Sequence, residues 1–147
     1  SIFDSTDREF YITGIQMEVG SQATPFEHRS FGEELQLCQR YYYSIIKGID
    51  KYIGHGSYYN TSQIFWFKDL PVTMRTGPSL EVASGTNYYT SYRTSGADGL
   101  DDFTLQTTTP EGVMLGNTTD AAVSSSGAGA LIYTGNSSSS IALTAEL

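Results

Sequence analysis

The chain has 147 residues, enough for one domain with a hydrophobic core. Its 16 acidic and 8 basic residues give a formal charge of −8, which disfavours nucleic acid and anionic membrane surfaces as partners. The single cysteine, Cys38, rules out an internal disulfide, and no apolar run is long enough to span a membrane.

The first residue is Ser1 rather than Met, so the chain is expected to be a fragment or a processed product with modules upstream. Eleven Tyr, 7 Phe and 15 Gly stand beside only 16% charged residues. Tyr, Thr, Val and Ile fit pleated surfaces, while Gly, Ser and Asn fit the turns between strands. The composition predicts an all-β domain.

In chain order, residues 1–8 read as a tether. "REFYITGIQMEVG" (8–20) alternates, with a change of phase at Gly14, and predicts a strand with a bulge. "SQATPFEHRSFG" (21–32) is a loop in which Pro25 holds Thr24 extended. A helix signal follows: Ser30 as N-cap, Glu33 three residues on, and acidic residues in the first turn. Leu35 and Cys38 share one helical face, which predicts that the face packs onto the domain.

From Arg40 the pattern changes to "RYYYSIIKG", a strand. "GSYYNTSQIFWFKDLPVTM" (56–74) holds one strand or two. "PSLEVAS" (78–84), "NYYTSYR" (87–93), "DFTLQT" (102–107), "EGVMLG" (111–116), "AAVSSS" (121–126), "ALIYTG" (130–135) and "SIALTAEL" (140–147) follow between Gly-rich breaks that include Gly96, Gly99 and Gly116. Many short strands with regular turns predict an antiparallel β-sandwich, jelly-roll-like, preceded by an N-terminal strand and one short helix. The expected division is 1–31 strand and connector, 32–39 helix, and 40–147 sandwich.

Little in the sequence points to catalysis. A nucleophilic cysteine needs a base in reach, and the two histidines, His28 and His55, give Cys38 no evident partner. Cys38 therefore reads as a small hydrophobe in the core. "DGLDD" (98–102) gathers three carboxylates but lacks the spacing of an EF-hand, and reads as a solvated acidic turn. No phosphate-binding loop or nucleophile elbow is present. No catalytic residue, metal or cofactor is expected. Asn60, Asn117 and Asn136 each begin a glycosylation sequon.

The aromatic residues Tyr58, Tyr59, Trp66, Tyr88, Tyr89 and Tyr92 offer flat surfaces for sugars or proteins. Between Gly85 and Asp102 tyrosines, an arginine and carboxylates concentrate. Tyr88, Tyr89, Tyr92, Arg93, Asp98 and Asp101 are the candidate receptor- or glycan-binding residues. In a regular strand Tyr88 and Tyr92 share a face and Tyr89 takes the other.

The segments Thr13–Gly20, Ala23–Arg29 and Glu34–Tyr42 read T-G-x-Q-x-E-x-G, A-T-P-F-E-x-R and E-L-x-L-C-Q-R-Y-Y. In this the chain resembles tailed-phage virion proteins, especially tail-fibre and fibre-like proteins of marine phages. "MRTGPSLEV" (74–82) and the final "LTAEL" (143–147) resemble further parts of that family. The resemblance is dense over 13–45 and thin between 83 and 140. It implies a non-enzymatic C-terminal fibre domain on the virion, homotrimeric, touching other virion proteins and a host glycan or receptor. In the family the first strand often closes an upstream jelly roll. The alternatives are a carbohydrate-binding module and a structural decoration or adaptor on capsid or tail.

Overall fold

A computed structural model describes residues 11–22, 24–122 and 127–146. Among these residues one helix, α1 (Phe31–Gln39), precedes ten strands. These are β1 (Tyr42–Lys47), β2 (Tyr52–Asn60), β3 (Gln63–Asp69), β4 (Ser79–Val82), β5 (Tyr89–Arg93), β6 (Gly96–Leu100), β7 (Thr104–Thr108), β8 (Gly112–Asn117), β9 (Gly129–Thr134) and β10 (Ser140–Thr144). The fold is an all-β sandwich of two antiparallel sheets. A three-stranded sheet runs β1-β10-β4, and a seven-stranded sheet runs β6-β5-β9-β2-β3-β8-β7.

Alternation builds the core. Tyr58, Ile64, Trp66, Leu115 and Ile132 point inward from the large sheet and are buried. Ile141 and Leu143 meet them from the small sheet and are fully buried. Burying each such aliphatic side chain contributes about 1.5–3 kcal/mol before entropy is counted. Phe103, from the connection between β6 and β7, wedges between Trp66 and Tyr89, with ring centroids 5.8 and 4.9 Å away. The turns are locally encoded: the Asn60 side chain accepts the Ser62 N–H at 2.8 Å and closes the β2–β3 hairpin. Gly116 is glycine for a packing reason, because the Phe65 ring lies where its Cβ would be.

The strands expected within 40–119 and 130–147 are formed, and "GSYYNTSQIFWFKDLPVTM" resolves into the β2–β3 hairpin. Four expectations are corrected. Residues 11–20 form no strand, and residues 8–10 of that expected strand lie outside the described ones. Residues 121–122 form none either, the remainder of "AAVSSS" lying outside the described residues. Gly96, Gly99 and Gly116 lie within strands rather than between them, and Gly96–Leu100 is itself β6. Its sequence has no apolar alternation, and pairing with β5 supplies what propensity does not.

The fourth correction concerns Cys38. The capping box is made as expected, with the Glu33 N–H donating to Ser30 Oγ at 3.3 Å and the Ser30 N–H to Glu33 Oε2 at 2.8 Å. Yet α1 has no buried residue and Cys38 is exposed. The helix joins the sandwich only at its last turn, beside β1, where the Arg75 N–H donates to the Arg40 carbonyl at 2.9 Å. Among the described residues nothing buries its amphipathic face.

Candidate functional site

The six candidate residues of the β5–β6 region fall into four environments. Tyr89, Ser91 and Arg93 point into the sandwich from β5, and Tyr92 points out. Tyr89 is fully buried; its hydroxyl lies 2.8 Å from the Ala83 carbonyl and 2.9 Å from that of Ser140. Burial pushes its pKa up to about 12. Tyr89 therefore ties the two sheets together and offers no surface to a ligand. Tyr88 is half-buried against the core.

Arg93 and Asp98 form a latch. Arg93 Nη1 donates to Asp98 Oδ2 at 2.7 Å, with both side chains about one-eighth exposed (12% and 13%). The same carboxylate oxygen accepts the Tyr58 hydroxyl at 2.7 Å and the Ala122 N–H at 3.2 Å. Arg93 Nη2 donates to the Ala122 carbonyl at 3.1 Å, so the pair holds both sides of one residue's backbone. Tyr58 spends its only proton on Asp98, so Ser91 must donate to Tyr58 across their 2.6 Å contact. Burial raises the Tyr58 pKa, and the Asp98 charge adds to the effect. The hydrogen bond to Asp98 raises that of Arg93 further above its ordinary value.

Asp101 is also occupied, accepting the Asn87 N–H at 2.8 Å. Its own N–H donates to Asp120 at 3.0 Å, and the Asn117 amide donates to the same Asp120 oxygen at 2.7 Å. Partial burial opposes ionisation of Asp120, but these donors outweigh it and hold the carboxyl below its usual range. Asn117, a sequon asparagine, is fully buried and accepts from the Asp120 N–H at 2.9 Å. In the folded chain it is closed to glycosylation. Among the described residues no three His, Cys, Asp or Glu side chains are placed to hold a metal ion.

Of the six residues, Tyr92 alone is exposed. It belongs to a surface that sequence patterning did not single out, the outer face of the large sheet. Phe67 and Tyr59 stand out there at 74% and 72% exposure, with Tyr52 and Leu131 also exposed. Beside Tyr92 lies a shallow depression of about 420 Å³, bordered by His55 and Leu131 and floored by Gly129. The signal was present in "QIFWFKD": Ile64 and Trp66 face inward while Phe65 and Phe67 face outward. A strand apolar on both sides is expected where both sides are covered.

Five residues of the segments around 13–29, namely Gln16, Glu18, Thr24, Glu27 and Arg29, gather elsewhere, in a clasp before α1. Glu18 accepts the Thr24 N–H and, at 2.6 Å, the Thr24 hydroxyl. Those bonds hold its carboxyl below its ordinary pKa. Gln16 accepts the Glu27 N–H at 2.8 Å and donates to Thr24 at 3.1 Å. Arg29 donates to Glu27 at 2.6 Å and to Glu34, in the first turn of α1, at 3.3 Å. The opposite side of the extended segment, Ile15, Met17 and Val19, is exposed.

Comparison with protein-family models, curated proteins and solved structures finds no match to this chain.

Proposed function

We propose that the chain is a non-enzymatic part of a tailed-phage particle, the C-terminal domain of a tail fibre or fibre-like protein. It is homotrimeric, lies at the virion surface and takes part in host-surface recognition. The observation that carries this reading is the clasp. The polar residues of the T-G-x-Q-x-E-x-G and A-T-P-F-E-x-R segments, where the resemblance is densest, bond to one another. A motif spent on its own internal bonds is a structural junction, and it leads through α1 into the sandwich. A junction of this kind suits a modular fibre, in which domains are joined end to end.

Weak contacts repeated around a symmetric assembly give avidity without a deep binding site. The test is immunogold labelling of virions of the phage that encodes the chain. Gold on tail fibres is the expected result. Virions that carry none of the chain overturn the reading, and gold confined to the capsid replaces a fibre with a decoration protein.

A further inference from the structure

The outward faces of the two sheets differ. An antiparallel sheet facing water carries polar residues there. The small sheet largely does so: Ser44, Lys47, Ser79, Glu81 and Thr144 occupy outward positions, with Tyr42 the one large exposed aromatic among them. The large sheet instead exposes Tyr52, Tyr59, Phe67, Tyr92 and Leu131, by 38–74% each.

These side chains are contiguous. Tyr92 pairs with Leu131 across β5 and β9, Leu131 with His55 across β9 and β2, and Phe67 with Met114 across β3 and β8. The Tyr133 ring, half-buried, joins Tyr92 to Tyr52, at centroid distances of 5.6 and 5.4 Å. The patch therefore crosses the five middle strands of the sheet. At roughly 200 Å² for a large side chain, the five exposed residues present on the order of 500 Å². That is near the top of what a monomer ordinarily leaves bare, and more than half of one partner's share of a standard interface, about 800 Å².

Charge and hydrogen bonding select the occupant. The chain carries −8, so two copies repel over most of their surfaces. Of the carboxylates in the seven strands, Asp98 points inward and Asp69 sits at the end of β3. The patch between them has no carboxylate, and another copy can approach it without repulsion. A sugar would need free polar groups beside the rings to fix its hydroxyls. Around Tyr52 and Tyr92 such groups are engaged, His55 Nδ1 meeting the Tyr52 hydroxyl at 2.5 Å and Arg93 held by Asp98 and Ala122, while Asp69 and Thr107 stand only at the rim beside Phe67.

We propose that the outer face of the large sheet is the surface through which copies of this chain associate. This deepens the homotrimer of the preceding reading by naming the face, and it rests on that reading only in requiring that copies associate.

The experiment compares the parent chain with the double variant Phe67→Thr/Leu131→Thr by light scattering at micromolar concentration. Threonine keeps the strand preference, and both side chains already face outward. The parent is expected at a multiple of 16.1 kDa and the folded variant at 16.1 kDa. Glu81→Gln, on the outer face of the small sheet, is expected to keep the parent's mass. A folded double variant with the parent's mass overturns the proposal and leaves an assembly through another face. A parent at 16.1 kDa overturns both this interface and the homotrimer. A monomeric parent that binds immobilised glycans and loses them on Phe67→Thr makes the face a sugar platform instead. If the double variant does not fold, hydroxyl-radical labelling of Tyr59 and Tyr92 in the parent is measured against dilution. Labelling that rises as copies separate is expected; labelling independent of concentration overturns the proposal. Virions lacking the chain would sink the fibre reading and leave this one standing.

Discussion

Arg93 and Asp98 sit five residues apart on the paired strands β5 and β6, and together they grip the backbone of Ala122 from both sides. Removing either side chain leaves the other charge largely buried and without its counter-ion. Arg93→Ala or Asp98→Ala is expected to destabilise the fold by about 3 kcal/mol, the lower end of the range for breaking a buried pair. Tyr58→Phe keeps the ion pair and should cost about 1–2 kcal/mol. Urea unfolding of the three variants measures both. An Arg93→Ala loss under about 0.5 kcal/mol, the range of ordinary surface changes, would show that the latch does not hold the fold.

Tyr89 gives the protein an alkaline limit. Its pKa is raised from 10.0 to about 12 in the fold, so the neutral form is favoured there. The resulting stabilisation is fully present below the unfolded value near pH 10 and is lost as pH rises through about 12. Unfolding free energy measured against pH should fall steeply across that window. Tyr89→Phe cannot ionise, and its curve should be flatter by roughly 2–3 kcal/mol over the window. Equal slopes for parent and variant would mean that Tyr89 ionises as freely in the fold as outside it.

Cys38 behaves as a surface thiol in the single chain. Stoichiometric labelling of the native protein by a small thiol reagent is expected without prior unfolding. Cys38→Ala should shift stability by no more than about 0.5 kcal/mol, as for other exposed positions. A thiol that reacts only after unfolding would mean that another copy or module covers α1.

The contrast between Cys38 and Tyr89 marks what was legible in the sequence. Alternation and turn residues located β4, β5, β8, β9 and β10, because each strand writes its own local pattern. The Ser30–Glu33 box was equally local, and it is made. What a pattern does not specify is the body that covers the apolar side. Leu35 and Cys38 line up on a helix that the sandwich does not reach. Parity on β5 separated Tyr89 from Tyr92 correctly but not which faces inward. That choice depends on Phe103 and on the Ala83 and Ser140 carbonyls, which no local window contains. Five of the six binding candidates turn out to be packed or bonded internally, Tyr92 alone standing exposed, for a related reason. An arginine, a tyrosine and carboxylates close together suit an internal latch as well as a ligand.

Gly116 offers a test of the outer face that leaves the core sequence intact. A methyl group there would overlap the Phe65 ring, and Phe65 packs on Tyr59 at 5.7 Å. Gly116→Ala should cost about 1–3 kcal/mol through overpacking. The combination with Phe65→Ala should recover part of that loss, so the two changes are non-additive. Additive costs in a double-mutant cycle would show that the ring does not lie over the glycine.

The position of β10 has a consequence for synthesis. This strand is the last of the ten, yet it lies in the middle of the small sheet, with β1 on one side and β4 on the other. Neither neighbour has another strand of that sheet to pair with. While the ribosome is still extending residues 130–139, the large sheet can zip its local hairpins, but one layer of the sandwich is missing. The apolar faces of β1 and β4 must wait in water or in the hands of a chaperone. Closure is thus a late event that seals nearly the whole chain length at once, and a nascent chain stalled just short of Ile141 should be degraded or aggregate rather than persist as a smaller sandwich.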